Sequence, residues 1–373
     1  MQTRQQTIAG DIRSYVLGLI VGVRHSAGIT MQQFVQSDVS GSTFQTPSRY
    51  TDLCVVDSRV RDNTCTAFDR LYRQPVTVKK ISRPFDRIEA VRYAYQQVRL
   101  AGKLQHGNLV FLQDIYISPT EDIYLITELH GIPLAGLLKN GPLDPALVQF
   151  LMYQILRGLK YIHSADVVHG DLTPSKVFVD RNCDVKLSDF HIDREADPNG
   201  TDHTSLYYEA PEIMLAWSLY DMAVDIFSAG CIFAEMMLGK PLFTGKDHVQ
   251  QLGFATGLLG TPPQWMVQKS SLANIKSRSW SGYQPRRISS IFAHHDSEAV
   301  NLLDSMLRYD PRDRITADDA ITHPYLERYH DASDEPVAVQ KFDWTFKDAQ
   351  IPGATWKWMI YSEATRHHTE QSL

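Results

Sequence analysis

The sequence predicts an α+β protein built as two lobes, a small β-rich lobe followed by a larger helical one. Two observations predict it. From about Arg49 to Leu129 the chain runs mostly through short apolar or alternating segments of strand length. From Leu143 onward the apolar residues take helical spacing over long segments. The switch falls at Glu128–Gly131, which reads as the hinge between the lobes.

In chain order, Thr51–Val56, Thr64–Ala67 and Pro75–Ile81 read as strands of a small antiparallel sheet. Ile88–Leu104 is a helix, with Ala90, Tyr93, Ala94, Val98, Ala101 and Leu104 at helical spacing. Leu109–Ile117 and Ile123–Glu128 add further strands. Leu143–Ala165 carries Val148, Leu151, Met152, Ile155, Leu159 and Ile162 on one face, and Asp144-Pro145 supplies an N-cap and a first-turn proline. Val177–Val179 and Val185–Leu187 are short strands joined by a polar turn. Asp221–Leu238 is a buried helix closed by Gly239. Ser297–Leu307 and Thr316–Ile321 are helices as well.

The chain of 373 residues is long enough for two lobes sharing a large core. A formal net charge of −6 argues against a nucleic-acid partner. No apolar run reaches membrane-spanning length. The apolar stretch Tyr15–Val23, flanked by Arg13 and Arg24, is expected to be a surface helix or a poorly ordered extension rather than a leader, since no small-residue cleavage pattern follows it. Cys54, Cys65, Cys183 and Cys231 show no metal-ligand spacing and read as reduced packing thiols.

The chemistry concentrates in Val167–His191, VVHGDLTPSKVFVDRNCDVKLSDFH. It has the layout of a protein-kinase catalytic loop followed by a metal-binding loop: His169-Gly170-Asp171 stands where kinases carry His-Arg-Asp, and Asp189-Phe190-His191 where they carry Asp-Phe-Gly. Val76-Thr77-Val78-Lys79 is similar to their Val-Ala-Ile-Lys strand. With LQDIYISPTEDIYLITEL (112–129), LMYQILRGLKYIHSA (151–165), APEIML (210–215), VDIFSAGCIFAEMMLGKPLF (224–243), LLGTPP (258–263), YDPRDRITADDAITHPY (309–325) and YHDASDEPV (329–337), the chain resembles the mitogen-activated protein (MAP) kinases. The branch it resembles most is the fungal high-osmolarity stress-response one. The likeness runs from about Met31 to the C-terminus, and Met31 sits where such kinases usually begin, so residues 1–30 are expected to be an appendage or a wrongly predicted start.

The resemblance implies a bilobal protein-kinase fold with a MAP-kinase insert and a C-terminal extension. The divisions are 1–48 as a partly disordered N-terminal extension, 49–129 as the N-lobe, 130–326 as the C-lobe, and 327–373 as docking patch and C-terminal extension. It implies ATP and magnesium as cofactors, Asp171 as the base that orients the substrate hydroxyl, Lys79 on the α- and β-phosphates, and Asp189 as a metal ligand. Val56, Thr64, Lys79, Thr127 and Leu129 would border the nucleotide. Glu212 with Arg314, Asp225, and His169 with Phe190 match structural pairs of the fold.

Several positions depart from the family's pattern. The glycines of the phosphate-covering loop are Asp57, Arg59 and Asp62. The glutamate expected to meet Lys79 is Gln97, which would hold it less firmly. The two roof positions of the adenine pocket are Thr64 and Thr77. The lysine two residues after the base is Thr173, and the asparagine of the second magnesium is Lys176, an ammonium that would repel a metal ion. His191 replaces a glycine. The phosphorylation switch reduces to Gly200–Thr204, with Thr201 and no tyrosine, while its arginine readers are Gly170, Leu206 and Glu209. Asp331, Asp334 and Glu335 match an acidic patch that recruits basic docking motifs of an activating kinase, a phosphatase and substrates, although Arg181 and Asn182 replace the neighbouring acids.

Taken together, these residues imply a stress-signalling protein that is catalytically impaired, pseudokinase-like, and acts by docking pathway partners. The alternative is a Ser/Thr protein kinase that transfers the ATP γ-phosphate to Ser/Thr-Pro substrates with weak or atypical activity. The expected compartment is the cytoplasm, with the nucleus as a further one.

Overall fold

The computed structural model describes residues 33–55, 63–190, 205–215, 221–270, 288–347 and 349–370. The expectations placed on Tyr15–Val23, Val56, Asp57, Arg59, Asp62, His191 and Gly200–Thr204 lie outside the described residues.

The N-lobe is a five-stranded antiparallel sheet in the order β3-β4-β5-β7-β6, made of β3 (Tyr50–Val55), β4 (Thr64–Asp69), β5 (Gln74–Ile81), β6 (Leu112–Ile117) and β7 (Ile123–Glu128). Strand alternation gives this sheet two faces. One carries Cys65, Ala67, Val76, Val78, Tyr116, Tyr124 and Ile126, and it is covered by the hairpin β1 (Phe34–Val39) and β2 (Ser42–Pro47) through Phe44 and Val39. Tyr116 and Tyr124 stack at 4.8 Å, and Phe34 meets Tyr116 edge-on at 6.0 Å. Residues 34–47 therefore pack onto the N-lobe sheet. The hairpin escapes a pattern reading because β1 and β2 are polar and half-exposed, with few inward residues.

The opposite face packs on helix α1 (Ile88–Lys103), whose Val91, Ala94, Tyr95, Val98 and Leu100 are buried. Toward the hinge this same face opens into the cleft between the lobes. The registers Thr66↔Thr77, Thr77↔Thr127 and Thr64↔Lys79 set Thr64, Thr77, Lys79 and Thr127 side by side on it. Leu109, expected within a strand, instead forms an isolated parallel bridge to Leu187, outside β6.

The C-lobe is organised by α2 (Pro145–Ser164) and α3 (Ala223–Leu238). Asp144 caps α2 by accepting from the Ala146 and Leu147 amides. Val148, Leu151, Met152, Ile155, Leu159 and Ile162 are all buried, so the predicted apolar face is the buried one. Nearly all of α3 is buried, and Gly239 ends it in the left-handed region at φ 71°. The buried Arg314 guanidinium forms a fork with Glu212, at 2.7 and 3.1 Å, and also donates to the Ala223 carbonyl at 2.6 Å. That pairing satisfies a charge which would otherwise be costly to bury. It ties the short helix Pro211–Met214 to the start of α3.

The chain then returns to the N-lobe. Helix α4 (Gly353–Glu370) lies along α1, with Trp356 fully buried and 5.4 Å from the Tyr95 ring. Lys357 meets Glu121 at 2.5 Å. The C-terminal extension thus forms a strap across the back of the N-lobe. Removing the Trp356 ring should cost about 3–5 kcal/mol. Equilibrium urea unfolding of Trp356→Ala tests this, and a loss under about 1 kcal/mol would show that α4 adds little to the N-lobe.

Candidate active site

The site starts from a carboxylate. Asp225, in the first turn of α3, is buried and accepts from the His169 amide at 2.7 Å, the Gly170 amide at 2.9 Å, and bonds His163 Nε2 at 2.8 Å. Buried amides without acceptors are costly, so these bonds set the backbone of the catalytic loop. His169 packs against Phe190 with ring centroids 5.2 Å apart, as expected of the apolar column. Both its ring nitrogens are buried without hydrogen-bond partners, and burial holds the ring neutral, below its usual range.

From this base the loop presents Asp171. One carboxylate oxygen, Oδ2, accepts from the Lys176 ammonium; the other, Oδ1, is buried and has no partner. Lys176 is anchored at its own backbone: its amide donates to the Thr173 carbonyl at 2.9 Å, and its carbonyl accepts from the Ser188 amide at 3.0 Å. The following strands β9 (Val177–Val179) and β10 (Val185–Leu187) pair antiparallel where the sequence predicts them. Asp189 follows β10 in the left-handed region at φ 57° and ion-pairs with Lys79 across the cleft. Burial pushes the Asp189 carboxyl up, but Lys79 and then Lys176 pull it well below the usual carboxylate range. Its side chain stays 45% exposed to the cleft, which screens that pull.

Gln97 does not take up Lys79. Its amide donates instead to the Phe190 carbonyl at 2.9 Å, so α1 holds the Asp189-Phe190 backbone through a neutral hydrogen bond. Asp189, rather than Gln97, meets the Lys79 ammonium. Thr64, Thr77 and Thr127 are half-buried on the cleft face, with Leu129 exposed at the hinge.

The hinge is pinned to the floor of the cleft. Lys186 on β10 meets Glu128 at 2.6 Å, His130 Nε2 bonds the Asp184 carbonyl at 3.1 Å, and β8 (Ile132–Pro133) pairs with β9. A Cβ at Gly131 would fall 1.9 Å from the Val179 carbonyl oxygen, so only glycine allows this approach. Beside Asp171 a small recess is lined by Ser205, Tyr208, Glu209 and Ser228. Tyr208 is held to α3 by its hydroxyl bond to Glu235 at 2.6 Å. Glu209 is buried and faces His248 at 3.1 Å. Sequence reasoning missed His163, Lys186 and this recess, because their partners are distant in sequence.

The donor set fits one divalent ion. Asp189 is an ionised, cleft-facing carboxylate, and a magnesium ion held on phosphates needs few protein ligands. It does not fit a second ion of the usual kind, because Lys176 stands at that position and offers no oxygen.

The acidic patch divides. Asp331 is exposed and accepts from its own loop at Ser333. Asp334 is 73% exposed at its side chain and pairs with Arg157 at 2.8 Å. Glu335, expected in the docking patch, is fully buried at its side chain and bonds Lys160, His330 and Tyr153. That expectation is corrected: Glu335 is an interior carboxylate tying the loop to α2.

A two-lobed fold with this cleft, Asp171 beneath it and Lys79–Asp189 across it defines the protein kinase class, and the protein kinase domain family matches residues 63–326. Similar relatives include the mitogen-activated protein kinase HOG1 of Cochliobolus heterostrophus, 49% identical over 91% of this chain and 96% of the relative. Kinase sakA of Aspergillus fumigatus is 49% identical over 91% and 93%, and hog-1 of Neurospora crassa 48% over 92% and 96%. The chain belongs to the protein kinases and, within them, to the fungal HOG1 branch of the MAP kinases.

Neutral, buried His169 makes stability depend on pH. Its folded pKa lies below 6.5, so the native state resists a proton that the unfolded chain accepts as pH falls through that value. Its contribution is full above pH 6.5 and is lost below it, with a slope up to about 1.4 kcal/mol per pH unit. Urea unfolding at pH 7 and pH 5 should show that His169→Phe loses less stability on acidification than the parent. Equal losses would mean that His169 takes a proton without cost.

Proposed function

We propose that this chain is an ATP-dependent Ser/Thr protein kinase of fungal stress signalling, with weak or atypical phosphate-site chemistry. The observation that carries it is the Lys79–Asp189 ion pair spanning the cleft above Asp171, whose Oδ1 is buried and unpartnered. Phosphoryl transfer needs positioning and charge stabilisation more than covalent chemistry by the protein. When bound, ATP supplies the γ-phosphoryl group and magnesium neutralises its charge. Lys79 is placed to hold the phosphates, Asp189 to hold the ion, and Asp171 to accept the hydroxyl proton of a substrate seated by the Ser205–Tyr208 turn once Lys176 leaves its Oδ2. The relatives, mitogen-activated protein kinases named HOG1 and sakA, support the same reading.

A second reading has a specific observation in its favour. Lys176 caps Asp171, and no glycine occupies the three phosphate-loop positions, so a partner-docking protein without turnover would look similar. Transfer of labelled phosphate from ATP to a Ser/Thr-Pro peptide separates the two. Incorporation should be measurable and should fall by about 10²-fold or more in Asp171→Asn. No incorporation, with no rise in melting temperature at millimolar ATP and magnesium, would leave the docking reading in place.

The family supports pathway partners, and we propose that those with basic linear motifs dock at Asp331 and Asp334, the exposed carboxylates of the patch. Binding of a basic docking peptide should weaken in Asp331→Asn/Asp334→Asn without loss of stability. Glu335→Gln should instead lower the unfolding free energy by about 2–4 kcal/mol, because it disrupts a buried charged network. Calorimetry with the peptide and denaturation curves check the two halves separately; unchanged peptide affinity in the double variant would remove this surface as the docking site.

A further inference from the structure

Lys176 sits where two loops of the cleft meet. Its backbone is fixed on one side by Thr173 in the catalytic loop and on the other by Ser188, next to Asp189. Val177 then enters β9, so the backbone has little freedom and only the four-carbon side chain can move. The ammonium rests on Asp171 Oδ2, and Lys79 rests on Asp189. Charge therefore alternates from the floor of the cleft to its roof: Asp171, Lys176, Asp189, Lys79. The side chains of Lys176 and Asp171 are 19% and 12% exposed, so the pair is partly shielded but still faces the cleft.

Protein kinases of ordinary type hold two magnesium ions, one on the carboxylate at the position of Asp189 and one on an asparagine at the position of Lys176. Magnesium takes oxygen ligands and strict octahedral geometry. A lysine at this point brings no oxygen and a like charge. It also brings a permanent positive charge that requires no ion from solution. Among the described residues no group of three or more His, Cys, Asp or Glu side chains converges to build another metal position.

We propose that Lys176 is the built-in replacement for one of the two divalent cations, so that the cleft takes a nucleoside triphosphate with a single metal ion. This rests on the kinase reading given above. On nucleotide entry the ammonium leaves Asp171 Oδ2 for the phosphate oxygens, which are the stronger anion. Asp171 is then released only when the nucleotide is present. The pair thus masks the base in the empty enzyme and uncovers it in the loaded one. No atom or electron is exchanged; the ammonium keeps its protons and changes partner.

The test counts metal ions rather than turnover. The full chain is saturated with a non-hydrolysable ATP analogue, and bound Mn²⁺ is titrated by electron paramagnetic resonance. One Mn²⁺ per chain is expected for the parent and two for Lys176→Asn. Lys176→Met removes the charge without adding a ligand; it should still bind one, with nucleotide affinity lower by about tenfold. Two Mn²⁺ in the parent, or one in a folded Lys176→Asn, would overturn the assignment while leaving the kinase reading standing. No nucleotide bound by the parent or by Lys176→Asn would overturn both. Should Lys176→Asn fail to fold, the parent count and Lys176→Met still decide.

Discussion

The site depends on the Asp225 carboxylate. It is one side chain on a buried helix, yet it accepts from consecutive amides of the catalytic loop and engages His163 on α2. A carboxylate in a helix's first turn also sits at the favourable end of the helix dipole. Through these bonds the most buried helix of the C-lobe sets the backbone from which Asp171 projects. The Arg314–Glu212 fork fixes the other side of the same helix start, so Asp171 and the short helix Pro211–Met214 share one rigid reference. Rigid support of this kind positions a reacting group within the small tolerance that transfer chemistry allows.

Around that reference the cleft is neutralised internally. Lys79 with Asp189 and Lys176 with Asp171 form partly shielded pairs, and each carboxylate has an ammonium in contact. Gln97 adds a neutral bond to Phe190, where the family pattern leads one to expect charge on Lys79. Two of the departures from that pattern, Gln97 and Lys176, take partners within the site.

The periphery explains how so modest an N-lobe is held. Its outer face is a stack of tyrosines that would be exposed without the β1–β2 hairpin, and its inner helix is strapped by α4 through Trp356. His368 reaches the buried Asp114 at 2.8 Å, and Arg49 and Tyr50 bond the same carboxylate. Both ends of the described chain therefore converge on the sheet that carries Lys79. The loop His330–Glu335 is tied to α2 in the other lobe in the same manner, by Glu335 inside and Arg157 with Asp334 at the surface.

The sequence by itself determined the local elements: the strands flanking Lys79, the face of α2, the Asp144 cap, the Gly239 stop and the pair β9–β10 follow from period and turn chemistry, which act over a few residues. It also located Lys79, Asp171 and Asp189 through motif spacing. Only the tertiary structure decided the partners. That Gln97 turns to Phe190, that Lys176 rests on Asp171, that Glu335 is interior and that polar residues 34–47 cover a tyrosine face all depend on groups far apart in the chain. Periodicity carries no term for such contacts, whereas burial of a charge or an aromatic face depends on them entirely.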